Sequence, residues 1–206
     1  MSAMSNRRVV VLSGVSGAGK TVYACKLLSD APALVPIACD VSMPAAIVSN
    51  DNFFVINGVY RFDPKKYLQS HHACFGQFID ECQAKTRLIV VDNVNATVEE
   101  IAPYVLGGEA YGYDIEIVTL AARIGFGRGI YDVLEYCALR NVHGVQSHVV
   151  VAQHKRIVSR VLPVHWKHSL VPIVLPALEI SNTPVSEATS PINQWVPRAM
   201  KQYRNE

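Results

Sequence analysis

Val9-Val10-Val11-Leu12-Ser13 runs directly into Gly14-Val15-Ser16-Gly17-Ala18-Gly19-Lys20-Thr21. A β-branched apolar run predicts a buried strand, and the segment Val22 to Leu28 that follows predicts a helix. The octapeptide between them has the form G-x-x-x-x-G-K-[ST], a phosphate-binding loop (P-loop) in the context that gives the pattern its meaning, a strand turning into a helix. Glycines at 14, 17 and 19 let the backbone bend tightly and turn its N–H groups onto an anion, with Val15, Ser16 and Ala18 completing the cradle. Lys20 is expected to bridge the β- and γ-phosphates of ATP and Thr21 to set its hydroxyl on Mg²⁺. The helix starting there aims its positive end at the same charge.

The 206 residues suffice for one α/β domain with a sizeable core and are too few for two full domains. Half the residues are apolar and the net charge is +2, which by itself announces no nucleic-acid binder. The distribution says more. Arg123, Arg128, Arg140, Lys155, Arg156, Arg160 and Lys167 face only Asp132 and Glu135 within one stretch, enough to line an anionic channel or to solvate helix faces. Cys25, Cys39, Cys74, Cys82 and Cys137 lack C-x-x-C or Cys/His metal spacing and read as reduced thiols. MSAMSNRR carries no apolar signal region, and no apolar run approaches the roughly 20 residues of a membrane span, so a cytoplasmic protein with no membrane partner is expected.

Strands are predicted at Arg7–Ser13, Ala45–Ser49, Arg87–Asp92 and Tyr113–Leu120, with a possible last one around Ile173–Leu175. Helices are predicted at Lys20–Asp30, from Pro64 to about Lys85, after a capping box at Thr97 and Glu100, at Ile130–Arg140 and at Ser147–Val161. Strand-helix alternation of this kind implies a three-layer α/β sandwich of the P-loop NTPase type, a parallel sheet with helices on both faces. The expected organisation is a P-loop kinase domain over 1–162 and an extension over 163–206 that ends in a polar, proline-interrupted tail.

A phosphate-transferring site needs a second layer. Asp92, closing the apolar run Leu88-Ile89-Val90-Val91, stands where a Mg²⁺-orienting acid belongs. Asp51, in the polar knot Ser49-Asn50-Asp51-Asn52 after a short strand, is the candidate base for an acceptor hydroxyl, although such a knot is first of all a turn signal. Arg140, late in a helix, is the candidate lid arginine for the transferring phosphoryl group; a surface charge near a helix end has the same look.

The order of these motifs resembles the polynucleotide 5′-kinase branch of the P-loop kinases, small ATP-binding domains similar to the phage end-healing kinase. The resemblance rests on GVSGAGKT, VSNDNFF, GVYRFDP from Gly58 to Pro64, a helix carrying His71, VVDNVN from Val90 to Asn95, Pro103-Tyr104, Gly112-Tyr113 and RNVHGV from Arg140 to Val145, and it covers roughly residues 7–160. It implies that Asp51 is the general base for a 5′-hydroxyl, that Asp92 and Asn95 form the active-site pair at the second strand edge, and that Arg140 grips the ATP phosphates. His71 matches a family histidine of less certain role, and a histidine on a largely apolar helix face is as often a core residue. The chain departs from the family where Asn52 replaces a second acid, Phe54 stands in place of an arginine that contacts substrate phosphate, and Val94 replaces threonine. A second lid arginine is missing from RNVHGV; Arg123 and Arg128 in the segment RIGFGRG are the candidates to replace it, and Phe126 there could stack on a base.

The expected activity is therefore Mg²⁺- and ATP-dependent phosphoryl transfer to the 5′-hydroxyl of a DNA or RNA end. Two rivals stay open at the level of sequence: a P-loop kinase of a small metabolite or sugar nucleotide, and a non-catalytic nucleotide-binding subunit of a larger assembly.

Overall fold

The computed structural model describes residues 7–30, 45–121 and 129–173. Arg123, Phe126, Arg128, Cys39, Leu175 and the tail Ser181–Glu206 lie outside them.

The predicted alternation is present. Strand β1 (Arg8–Ser13) leads through the P-loop into α1 (Lys20–Asp30); β2 (Ala45–Val48) leads into a 3₁₀ turn at Asn50–Phe54 and a small antiparallel hairpin, β3 (Val55–Ile56) and β4 (Val59–Tyr60). Helix α2 (Tyr67–Gln83), β5 (Leu88–Asp92), α3 (Val98–Ala110), β6 (Asp114–Ala121), α4 (Ile130–Arg140), α5 (Ser147–Ser159) and β7 (His168–Pro172) follow. The main sheet has the order β2-β5-β1-β6-β7 and every pairing in it is parallel. β1 therefore sits at the centre, flanked by the strand that ends in Asp92 and by β6. The carboxyl ends of β1, β2 and β5 share one edge, which is where ligands of open parallel sheets bind.

Alternation along the strands sorts the core. Val9, Val11, Ile89, Val91, Ile115 and Ile117 pack with Phe78, Cys74, Ile101, Tyr104 and Val105 of α2 and α3. Val10, Leu12 and Val90, each fully buried, point to the other face, and α1 lies against β1, β2 and β5. Central strands buried on both faces carry the near-continuous β-branched runs seen in the sequence.

Three expectations need correction. The last strand is His168–Pro172, earlier than the anticipated Ile173–Leu175. Among the described residues it pairs with β6 alone, so its residues alternate between exposed and half-buried instead of forming an apolar run, and Pro172 is tolerated at its end because an edge strand does not need every N–H. This strand lies beyond residue 162 and pairs in parallel with β6. Second, the helix expected from Pro64 starts as a separate 3₁₀ turn, Pro64–Lys66, capped by the Asp63 side chain, before α2 begins at Tyr67. Third, α5 ends at Ser159, two residues short of the expected Val161, because Arg160 takes up extended geometry.

Candidate active site

The P-loop wraps the carboxyl end of β1. Gly17 and Gly19 have φ of +78° and +91°, a region that side chains rarely enter, and a Cβ on Gly17 would lie 1.9 Å from the Cys137 carbonyl oxygen of α4. The loop is thus pressed against α4 at a point where only glycine fits. Lys20 is half-buried; its ammonium donates to the carbonyls of Gly14 and Val15, both at 3.0 Å. Burial lowers its pKa, while the carboxylates of Asp92 and Asp51 push the other way.

Thr21 donates its hydroxyl to Asp92 Oδ2 at 2.7 Å. Burial raises the pKa of Asp92, opposed by Lys20 and by the Thr21 hydrogen bond. An exposed hydroxyl beside a buried carboxylate, next to the loop, is the hard oxygen pair that would hold Mg²⁺ once phosphate oxygens complete its shell.

Asp51 is fastened in place from β5. Ser49 donates to the Asp92 carbonyl at 2.8 Å, and the Asn50 amide donates to Asn93 Oδ1 at 2.8 Å. Asn93, buried, in turn donates to Cys74 Sγ and the Tyr104 hydroxyl. The Asp51 carboxylate accepts from Tyr60 at 3.0 Å and pairs with His143 Nε2 at 3.2 Å. Burial alone would raise its pKa; the His143 contact, the Tyr60 hydroxyl and the charge of Lys20 outweigh it and hold the carboxyl below the ordinary aspartate range. The His143 ring also lies against Tyr60, with centroids 4.3 Å apart. The segment between α4 and α5 therefore closes onto Asp51.

The other candidates are placed unequally. Asn95, at φ +44°, is buried and gives its amide to the Leu12 carbonyl at 2.6 Å, so it ties β1 to the loop after β5. Arg140 is exposed and lies over the Tyr136 ring, with its guanidinium 5.4 Å from the centroid. His71 is half-buried and receives the Asn50 amide at 2.9 Å on Nε2, next to Asp51. Burial lowers its pKa. Its position is the wall of a pocket formed with Asn50, Asp51, Phe54, Phe62 and Tyr67.

Three residues were not legible as site residues. Gln153 of α5 accepts the Ser16 N–H at 2.8 Å and donates to the Ser16 hydroxyl at 3.1 Å, clamping the P-loop from the side. Arg160 joins three strand ends, donating to Ser13 Oγ at 2.7 Å, the Asn95 carbonyl at 2.6 Å and Thr119 Oγ1 at 2.6 Å. His143 was quoted only as part of RNVHGV. A buried glutamine three residues after the buried Val150, on one helix face, was the only signal for the first. A second pocket, lined by Val15, Leu120, Ala121, His154, Ile157 and Ile173, adjoins the P-loop on its apolar side.

The AAA domain family model matches residues 9–123, from the first strand past the end of β6. The chain belongs to the AAA domain family. NEDD4-binding protein 2 of Homo sapiens is 28% identical to this AAA domain over 167 residues, 81% of the chain but 8% of that protein, so the chain spans a small fraction of that relative's length. Among solved structures, a chain of the Pnkp1/Rnl/Hen1 RNA repair complex superposes with a TM-score of 0.52 at 15% identity, covering 73% of this chain and 44% of that one. A candidate kinase from Chloroflexus aurantiacus gives 0.53 at 15% identity, with 97% and 99% covered. These likenesses establish that this AAA domain has a P-loop α/β fold shared with those chains. Among the described residues no helix is long and apolar enough to cross a membrane.

Proposed function

We propose that this domain transfers the γ-phosphoryl group of ATP to the 5′-hydroxyl of a nucleic-acid end. The observation that carries the reading is Asp51: an aspartate bound by Tyr60 and His143, near enough to the P-loop lysine to feel its charge, on the wall of a pocket distinct from the one beside Val15. A base near neutral pH must be unprotonated and within reach of the hydroxyl it serves, and a carboxylate facing that pocket is such a group. The likeness to a chain of an RNA repair complex supports the same reading.

The division of labour follows. The apolar pocket beside the P-loop takes the base of ATP. Lys20 leaves the Gly14 and Val15 carbonyls for the β- and γ-phosphate oxygens, and Arg140 leaves Tyr136 to reach the γ-phosphate from the end of α4. Mg²⁺ held by Thr21 and Asp92 would supply charge neutralisation between the phosphates. The acceptor hydroxyl approaches the exposed side of the Asp51 carboxylate and gives up its proton there as its oxygen takes the γ-phosphoryl group and ADP leaves, while His143 and Tyr60 keep the carboxylate oriented.

The test is transfer of labelled γ-phosphate from ATP to DNA and RNA oligonucleotides bearing a 5′-hydroxyl, beside the same strands already 5′-phosphorylated. We expect label on the hydroxyl ends alone and a loss of about 10²-fold or more with Lys20→Ala. ATP binding with no label on any oligonucleotide would move the assignment to a small-metabolite acceptor or to a nucleotide-binding subunit without catalysis.

A further inference from the structure

Beyond Asp51 the chain builds a small flap, the 3₁₀ turn, the β3–β4 hairpin and the start of α2, whose outer side is apolar and uncovered among the described residues. Phe53, Val55, Ile56, Val59, Phe62, Tyr67 and Leu68 are all exposed, from 36% for Phe53 to 66% for Leu68. Contiguous apolar surface of this kind marks a binding face. It is continuous with the pocket at Asp51, because Phe62 and Tyr67 both line that pocket and remain about half exposed. The rings are braced from below: Phe62 meets the buried Phe54 edge-on at 5.0 Å, and Tyr67 meets His71 edge-on at 4.5 Å.

Charge selects the occupant. Arg61, Lys65 and Lys66 are exposed around the rings. Between Asn52 and Ile79 the one acid is Asp63, and its carboxylate is engaged by the Lys65 amide in the cap of the 3₁₀ turn; Glu100, which lines the pocket from α3, is taken up by the Ala96 N–H and by Arg156 at 3.6 Å. Exposed rings with a basic rim are the combination that holds single-stranded nucleic acid, where stacking takes any base and cations follow the backbone. An apolar protein partner would leave the three cations unexplained.

We propose that Phe62 and Tyr67 stack the terminal bases of a single-stranded acceptor, with Arg61, Lys65 and Lys66 along its phosphates, so that the 5′-hydroxyl is delivered to Asp51. This rests on the function proposed above and narrows it to a base-gripped, unpaired end.

The experiment uses the full chain with Phe62→Ala, Tyr67→Ala, Phe62→Trp and Tyr67→Trp, folding being checked by circular dichroism. Binding is read by anisotropy of a fluorescent 5′-hydroxyl single strand, and of the same strand with abasic residues at its 5′ end; acceptor KM and ATP KM are read in the transfer assay. Each alanine variant should weaken binding and raise the acceptor KM about tenfold, leave the ATP KM in place, and lose the preference for the base-bearing end. Each tryptophan variant should keep the affinity, and its indole fluorescence should be quenched by the base-bearing strand. Alanine variants that bind and discriminate like the wild type, or a wild type that binds no single strand, would overturn the platform. Strand binding that depends on the rings without phosphoryl transfer would sink the kinase reading and leave the platform standing; transfer indifferent to the rings would do the reverse.

Discussion

At the scale of the residue the account turns on one carboxylate. Asp51 serves as a base only when ionised, and the His143 contact, the Tyr60 hydroxyl and the Lys20 charge outweigh burial and hold its carboxyl below the ordinary aspartate range. His143→Phe keeps a ring against Tyr60 and removes the nitrogen that pairs with the carboxylate. Carbon NMR titration of the Asp51 carboxyl should then show a pKa higher than in the wild type, because burial is opposed by less. The sign carries over to stability. A carboxyl depressed on folding contributes stability above its unfolded pKa, and the contribution is lost as the pH falls through the folded value. The variant should therefore lose less stability between neutral and acid pH than the wild type does. An unchanged Asp51 titration would show that the His143 contact does not persist in solution. Position after a short strand marked Asp51 as a candidate base and equally as a turn acid until the surrounding motifs were compared, and His143 carried no signal of its own, since its partner lies 92 positions earlier in the chain.

At the scale of the element, the P-loop is a loop held by helices. Local sequence made β1, the P-loop and α1 legible, because β-branched residues, glycines and a helix-forming segment each act on their nearest neighbours. It could not show that α5 clamps Ser16 through Gln153, a contact spanning 137 positions. Gln153→Ala removes two hydrogen bonds in a largely buried setting, and at roughly 1 kcal/mol each the P-loop should lose order. The expected outcome is about tenfold weaker ATP binding by calorimetry, with secondary structure intact by circular dichroism. Unchanged affinity would mean that the loop keeps its shape without the clamp. The misplaced last strand has a related cause: β7 is half-exposed, so its alternation is short and polar, and the periodic signal that marked β1 and β5 is absent from His168–Pro172. Thr97 and Glu100 were legible for the opposite reason. Both halves of the capping box lie within one turn, and both hydrogen bonds form.

At the scale of the molecule, strand-helix alternation with one P-loop left little freedom in the architecture, and the parallel order β2-β5-β1-β6-β7 brings Lys20, Thr21, Asp51 and Asp92 to one edge of the sheet. What the alternation could not convey is the division of that edge into an apolar pocket beside Val15 and an aromatic one beside Asp51, because both are assembled from segments distant in sequence. In the proposed reaction the two halves have separate tasks, nucleotide on the P-loop and proton on Asp51. Asp51→Asn keeps the shape and removes the base, so ATP affinity and single-turnover transfer to a 5′-hydroxyl oligonucleotide separate the two. ATP affinity should stay close to that of the wild type and transfer should slow by about 10²-fold or more; transfer at the wild-type rate with ATP bound as before would show that Asp51 is not the base.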